Sequence, residues 1–241
     1  MNPVSVNELT ESVNSNLPRD VKSHIAKNIL TKEKDSETAK NIFAKLVNDL
    51  SLKTQKEVIN ATGTLLHTNL GRSPNKISYP GTYTNIEYDL TTLSRGKRNE
   101  YLSVIMNNLI GSEDIIFVNN NASSLFVSLK AISKLHKIES VIISRGEIIE
   151  IGGSYRLPEI INETGLSLVE IGTTNKTRLS DYKKALEKYP NSLILKVHRS
   201  NFSISGFTED VSISELAELK NKYDVFLLHD LGSGLVIDKK F

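Results

Sequence analysis

The sequence predicts an α/β fold with a parallel sheet, preceded by a small helical domain. From about residue 57 onward, short runs of β-branched and other apolar residues alternate with amphipathic stretches of helix length. This alternation is typical of βα units packed on a parallel sheet. The preceding residues are polar and rich in lysine, with short apolar clusters. We therefore expect two domains, over residues 1–56 and 57–241.

The first domain is predicted to be helical because Ile42, Phe43, Leu46 and Leu50 recur at the spacing of a helix face. Ser36 stands where such a helix could begin. Lysines and arginines only slightly outnumber acidic residues in this domain. That balance is too even to predict a binding partner from charge alone.

The second domain is predicted to alternate strands and helices. The predicted strands cover residues 115–118, 141–144, 168–171, 193–197 and 225–229. The predicted helices cover residues 125–135, 155–163, 179–188 and 213–223. Residues 73–84 contain two prolines and a glycine, so an irregular connection is expected there.

Composition excludes several kinds of site. The chain contains no cysteine, which rules out disulfides, thiolate metal ligands and a cysteine nucleophile. The chain has no paired acidic residues at the spacing of metal ligands, so no metal site is predicted. The formal charge of +2 is too small to indicate nucleic-acid binding. Because there is no apolar run of signal-peptide length or of ~20 residues, no membrane contact and a cytoplasmic location are expected.

The first candidate for a binding site is the turn at residues 119–124, Asn-Asn-Asn-Ala-Ser-Ser. It lies between a predicted strand and a predicted helix, where free backbone N–H groups and the helix dipole suit a phosphate. Alternatively, these residues only cap the helix. The chain has no dinucleotide-binding or P-loop glycine motif, which argues against those classes of nucleotide site.

Asp230 is the second candidate because it follows a predicted strand, at the carboxyl edge where ligands bind in open α/β sheets. It could bind a cationic ring nitrogen, bind a metal, or cap the next turn. Together with the turn at 119–124, it could hold opposite ends of one flat cofactor. A Schiff base would then need a lysine, and Lys239 and Lys240 lack the expected context.

Further polar runs leave two interpretations open. Arg95, Lys97 and Arg98 would either bind an anion or form a solvated surface. Residues 144–147 and 196–201 each follow a predicted strand, at the same sheet edge as Asp230. They would either contribute to a site or form turns with salt bridges.

Several segments, in chain order, carry a resemblance to a known family. They are residues 59–72 (INATGTLLHTNLGR), 85–90 (NIEYDL), 95–98 (RGKR), 118–122 (VNNNA), 144–147 (SRGE), 150–159 (EIGGSYRLPE), 172–177 (GTTNKT), 198–202 (HRSNF), 206–207 (GF) and 230–234 (DLGSG). Together they cover roughly residues 57–235 and resemble the bacterial selenocysteine synthases, the L-seryl-tRNA(Sec) selenium transferases.

The resemblance implies a fold-type-I enzyme dependent on pyridoxal 5'-phosphate (PLP), with an aspartate-aminotransferase-like large domain. Such enzymes remove water from the serine of seryl-tRNA(Sec) and add selenium from selenophosphate. The resemblance also implies a homo-oligomer, since members of the family form a ring of dimers. It further implies that a small N-terminal domain contacts the tRNA. By the same resemblance, residues 1–56 would be that domain.

Carried over by position, the resemblance implies roles for individual residues. The PLP phosphate would bind at the turn and the ring nitrogen at Asp230, so the expected cofactor contacts are Asn120, Asn121, Ala122, Ser123, His198 and Asp230. Arg95 and Arg98 would face the anionic selenophosphate.

The sequence departs from the family pattern in several places. Leu93 stands where the family usually has glycine, Ser123 and Ser124 replace alanines, and residues 73–84 form a shorter segment. The segment bearing the Schiff-base lysine would lie some tens of residues past Asp230, whereas the sequence ends at Phe241. The chain is therefore expected to be an incomplete copy that lacks this lysine and the C-terminal domain.

Two other functions remain open at this point. One is a non-catalytic tRNA-binding or assembly module. The other is a related PLP-dependent lyase acting on a small amino acid, since a fold alone does not determine a function.

Overall fold

The structure is a computed structural model that describes residues 3–74, 78, 81–151, 155–200 and 202–232. The chain divides into two compact units, Met1–Gly81 and Thr82–Phe241. The predicted domain limit near residue 56 lies a few residues after the last helix of the first unit and stays a prediction.

The first unit contains three α-helices and a short 3-10 helix (Thr68–Leu70) in its described part. The α-helices are α1 (Val6–Ser12), α2 (Arg19–Lys32) and α3 (Ser36–Lys53). Ser5 begins α1 with a capping box, in which its side chain and that of Glu8 each accept a backbone N–H of the other residue. Asp35 caps α3 by accepting the N–H of Thr38 at 2.8 Å. The predicted helix start at Ser36 is therefore confirmed as the first residue of α3.

Only one residue of the predicted apolar face of α3 lies in the small core of this unit. Phe43 is fully buried and packs with Leu9, Ala26 and Ile29 from the other two helices. The remaining residues of the predicted apolar face are exposed: Ile42, Leu46 and Leu50. The spacing of these residues predicted the helix correctly, but Ala39, Phe43 and Val47 form the face that α1 and α2 cover.

The second unit combines helices with short and long strands. The strands are β1 (Tyr88–Asp89), β2 (Ser94–Arg95), β3 (Ser140–Ser144), β4 (Glu150–Ile151), β5 (Tyr155–Arg156), β6 (Ser167–Ile171), β7 (Ser192–Val197) and β8 (Phe226–Asp230). The helices are α4 (Glu100–Ile110), α5 (Asn121–His136), α6 (Leu157–Glu163), α7 (Leu179–Lys188) and α8 (Ile213–Tyr223).

A parallel sheet of four strands forms the centre of this unit in the part of the chain that the structure describes. Its strand order is β6-β3-β7-β8. All three strand pairs are parallel, so the carboxyl ends of the four strands meet at one edge. The predicted α/β class with a parallel sheet is confirmed.

Helices cover both faces of the sheet, which explains why its central strands are mostly apolar. One cluster packs α5 and α6 against one face, through Leu129 and Ile161 among others. The second packs α7 and α8 against the opposite face, through Tyr182 and Leu216. Every residue of β3 is buried as a result.

One prediction about this unit is wrong and another is wrong in part. Residues 115–118 do not form a strand, because their backbone pairs with no other strand among the described residues, and Ile116 is 74% exposed. The helix predicted over 155–163 is preceded by β5 and begins only at Leu157. Sequence patterns did not predict α4, which has no buried residue. No described helix is long and apolar enough to cross a membrane.

The two faces of α3 provide a test of the first unit's core. Phe43→Ala removes a fully buried ring and is expected to lower the free energy of unfolding by about 3–5 kcal/mol. Ile42→Ala, on the exposed side of the same helix, should change it by less than about 1 kcal/mol. Denaturant unfolding followed by circular dichroism measures both. Equal losses in the two variants would contradict the observed packing.

Candidate active site

The turn before α5 has the geometry of a helix cap that leaves donors free. Asn120 is extended, and its side-chain oxygen accepts the N–H of Ser123 at 2.9 Å. The N–H groups of Asn121 and Ala122 have no acceptor among the described residues. Capping and anion binding are therefore compatible at this turn, because the cap uses one N–H and leaves two at the positive end of a 16-residue helix.

Asp230 lies at the carboxyl end of β8 and is 8% exposed. Its Oδ1 accepts two hydrogen bonds, from Asn121 Nδ2 at 2.9 Å and from the N–H of Gly232 at 3.0 Å. Both donors fix the plane of the carboxylate. The second oxygen, Oδ2, has no donor among the described residues and remains available to a ligand.

The bond between Asn121 and Asp230 brings the two main candidates of the sequence together. These residues are 109 positions apart in the chain. Sequence reasoning placed Asn121 with the phosphate, whereas its side chain contacts the acid expected at the ring nitrogen. Only the tertiary structure could show this contact, because nothing in the local pattern of either segment refers to the other.

His198 lies directly after β7, beside Asp230. Its backbone N–H donates to the backbone carbonyl of Asp230 at 2.9 Å, and its side chain is exposed. The neighbouring His229 has a pKa below the ordinary value, because of partial burial and the nearby charge of Lys196. The neutral form of the His229 imidazole is therefore favoured next to Asp230.

Arg95 and Arg98 lie in a separate part of this unit, around the β1–β2 ribbon. Both pair with Glu87, and Arg95 does so at 3.8 Å. Arg98 also lines a cavity of about 720 Å³, together with Tyr88, Lys97 and other residues of the ribbon and α4. No hydrogen bond or ion pair in the described residues joins either arginine to Asp230 or to the turn before α5.

The turn after β3 and the residues after β7 form a network of ion pairs. Glu147 is 1% exposed and binds Lys196 Nζ at 2.5 Å. Lys196 also binds Asp210 at 2.9 Å, and Asp210 binds Arg199 at 2.7 Å. The salt bridges expected in these two runs are present, and their contribution to a binding site stays a prediction. The sequence did not reveal Asp210, which lies in a loop without a recognisable pattern.

Burial and charge act on the acids of this network in opposite directions. Burial raises the pKa of Glu147, and its bonds from Lys196 and Val197 only partly oppose the rise. Burial would also raise the pKa of Asp210, but the hydrogen bond and charge of Lys196 and the charge of Arg199 lower it overall. Among the described residues there is no cluster of acids and histidines that could hold a metal ion.

Several residues singled out in the sequence lie outside the described part of the structure. They are Gly152, Gly153, Ser154, Asn201, Ser233, Gly234, Lys239 and Lys240. The roles expected for the six cofactor contacts and the two arginines remain predictions.

Comparison with known proteins gives a consistent result. Residues 58–240 match the family described as "L-seryl-tRNA selenium transferase". A protein named L-seryl-tRNA(Sec) selenium transferase from Sulfurimonas denitrificans is 37% identical over 95% of this chain and 52% of its own length. Proteins of the same name from Aliarcobacter butzleri and Moorella thermoacetica are 43% and 46% identical, over 85% and 76% of this chain.

The chain spans about half the length of these relatives, since it covers 46% of the Aliarcobacter butzleri protein and 40% of that from Moorella thermoacetica. A solved structure titled "Structure of D-Glucosaminate-6-phosphate Ammonia-lyase" has a TM-score of 0.46 at 15% identity. The matched region covers 54% of this chain and 37% of the ammonia-lyase chain. A TM-score of 0.46 is too low to define the fold.

Leu93, in the loop between β1 and β2, has a left-handed backbone conformation with φ of 52°. A residue with a Cβ is disfavoured there by about 1–2 kcal/mol, whereas glycine is not. Leu93 is also 71% exposed, so its side chain contributes little packing. Leu93→Gly is therefore expected to raise the free energy of unfolding by up to about 1 kcal/mol, measured by denaturant unfolding. Leu90→Gly, at an exposed neighbour whose φ is not positive, should not stabilise the protein.

Proposed function

The chain belongs to the L-seryl-tRNA selenium transferase family, and we propose that it serves the PLP-dependent conversion of L-seryl-tRNA(Sec) to L-selenocysteinyl-tRNA(Sec), with selenophosphate as selenium donor. The observation that carries this proposal is the hydrogen bond from Asn121 to Asp230. It joins the N-terminus of α5, where free N–H groups suit an anion, to a buried carboxylate at the carboxyl edge of the sheet. The parallel sheet with helices on both faces fits the fold-type-I architecture.

The residues of the site fit the two ends of PLP. The free N–H groups of Asn121 and Ala122, at the start of α5, would bind the phosphate, and Ser123 would add a hydroxyl donor. Asp230 would accept a hydrogen bond from the protonated ring nitrogen through Oδ2, while Asn121 and Gly232 donate to Oδ1. When bound, PLP supplies an electron sink for the bond changes at the serine Cα and Cβ.

Asp230 acts on that chemistry through charge. Its carboxylate would keep a proton on the ring nitrogen, which deepens the electron sink. Because Asp230 is almost fully buried, little water competes for this contact. His198, on the neighbouring strand end, would contact the cofactor from the adjacent position, and its exposed side chain is free to do so.

Arg95 and Arg98 are proposed to bind the anionic selenium donor. Their guanidinium groups are exposed and pair only with Glu87 among the described residues. Exposed pairs of this kind contribute only about 0–1 kcal/mol, so an incoming phosphate group would compete well for the same donors.

The proposed partners extend beyond small molecules. The helices α1–α3 are proposed to contact the tRNA, which also implies a cytoplasmic location. A homo-oligomer is supported by α4, which has no buried residue and exposes Tyr101, Val104 and Leu109 by 75%, 57% and 58%. An apolar helix of this kind is normally covered by other protein.

The cofactor site can be tested with PLP alone. Asp230→Asn keeps the shape of the side chain but removes its charge, and is expected to weaken PLP binding about tenfold or more. Asp224→Asn, at the exposed turn that precedes β8, serves as the matched control and should bind PLP as the unaltered chain does. Equilibrium dialysis measures all three affinities. Equal affinities of the two variants would contradict the proposed role of Asp230.

The RNA partner can be tested by comparing tRNA(Sec) with tRNA(Ser) in a binding titration at several salt concentrations. We expect tighter binding of tRNA(Sec). Lys40→Gln combined with Lys45→Gln, on exposed positions of α3, should lower the salt dependence by about 1–2 in slope. Lys184→Gln on α7 is the control and should leave it unchanged. Equal affinity for both tRNAs would reject this part of the proposal.

A further inference from the structure

Glu147 is an acid buried directly after β3, at the end of the short 3-10 turn Arg145–Glu147. Its two oxygens have different partners. Oε1 accepts from Lys196 Nζ at 2.5 Å, and Oε2 accepts the backbone N–H of Val197 at 2.9 Å. A buried acid that binds both a side chain and the main chain of another strand holds that strand in position.

The position of this contact relative to the sheet is informative. The register of β3 with β7 ends at the pair Ile143 and Leu195. Val197 lies two residues further along β7, beyond the last of these pairs. The Glu147 carboxylate accepts its N–H there, and so extends the connection between the two strands past the end of their ladder.

On the side away from β3, β7 pairs with β8, which carries Asp230 of the proposed site. Val197 is in register with Asp230 of β8, and the next residue, His198, donates its N–H to the Asp230 carbonyl at 2.9 Å. One continuous path of hydrogen bonds therefore runs from Glu147 through the end of β7 to Asp230. Each step of it is a main-chain contact or a bond to the main chain.

The turn that carries Glu147 is itself tightly held. A Cβ on Gly146 would lie 2.6 Å from the Thr174 carbonyl oxygen, so only glycine fits at this position. The charges around Glu147 are balanced as well, because Lys196 is shared with Asp210, which in turn binds Arg199. Tyr182 is buried nearby on α7, and its hydroxyl has no partner among the described residues.

We propose that Glu147 is a positioning residue: its carboxylate fixes the end of β7 and thereby places His198 and Asp230 for cofactor binding. This inference rests on the proposed PLP site. It assigns to the Ser-Arg-Gly-Glu segment at 144–147 a role in the geometry of the site rather than in direct contact with PLP.

Two variants separate position from charge. Glu147→Gln keeps the length of the side chain and an oxygen that can accept the Val197 N–H, while Lys196 retains Asp210. Glu147→Asp keeps the charge but is shorter by one carbon–carbon bond, about 1.5 Å, and cannot reach both partners. Tyr182→Phe removes the unpartnered hydroxyl from the same core and serves as the control.

The primary measurement is hydrogen exchange of the backbone amides of Val197, His198 and Ser200 in the 241-residue chain. Positioning by Glu147 predicts that the Asp variant exchanges about tenfold faster at these amides, and the Gln variant within about threefold of the unaltered chain. PLP affinity, measured by equilibrium dialysis, should follow the same order. The Tyr182→Phe variant should match the unaltered chain in both.

The reverse order, with Asp closer to the unaltered chain than Gln, would show that charge balance matters and would overturn the proposal. Unchanged exchange in both variants would overturn it too. Should the Asp variant fail to fold, Glu147→Ala, which has no acceptor for the Val197 N–H, replaces it: faster exchange than in the Gln variant supports the proposal, and exchange equal to that of the Gln variant rejects it. If the unaltered chain binds no PLP, the proposed cofactor site is wrong, while the exchange order still decides the role of Glu147.

Discussion

Burial of both faces of the parallel sheet is the constraint on which the rest of the second unit depends. Every residue of β3 is buried, and β7 is buried at all positions but one. Strands covered on both faces are mostly apolar, since a polar side chain inside them loses its water and needs a partner within the protein. Groups able to do chemistry are therefore confined to the carboxyl edge, where Glu147, His198 and Asp230 lie.

Lys196 is the exception within β7, and its surroundings show what a charge in this layer requires. An unpaired buried charge costs about 3–5 kcal/mol, so Lys196 needs its acidic partners. Glu147 comes from the turn after β3 and Asp210 from the loop before α8, and each binds the ammonium group. The same interaction that stabilises Lys196 also ties the ends of strands and loops together at the edge where the cofactor is proposed to bind.

The proposed cofactor site and the exposed apolar residues of α4 lie in the same unit. Asn121 joins α5 to Asp230 within the described residues, so the two positions proposed to hold the cofactor are in direct contact in this chain. The arginines proposed for the selenium donor lie apart from it, next to α4 and its exposed apolar residues. A partner that covers α4 would change the surroundings of Arg98 directly, because α4 and Arg98 line the same cavity.

The sequence by itself determined the class of fold, most strands and helices of the sheet region, and the family. The fold class and its elements follow from the local periodicity left by burial on both sides of a strand and on one side of a helix. The family follows from the resemblance of whole segments in chain order. It also identified the turn before α5 and Asp230 as candidates from their positions after predicted strands. The strand predicted at 115–118 is absent because a strand exists only when a neighbouring edge supplies hydrogen bonds.

Only the tertiary structure decided that Asn121 binds Asp230, that Phe43 rather than Ile42 faces the core, and that Asp210 shares Lys196 with Glu147. These are contacts between segments far apart in the chain, and no local pattern encodes which of them will meet.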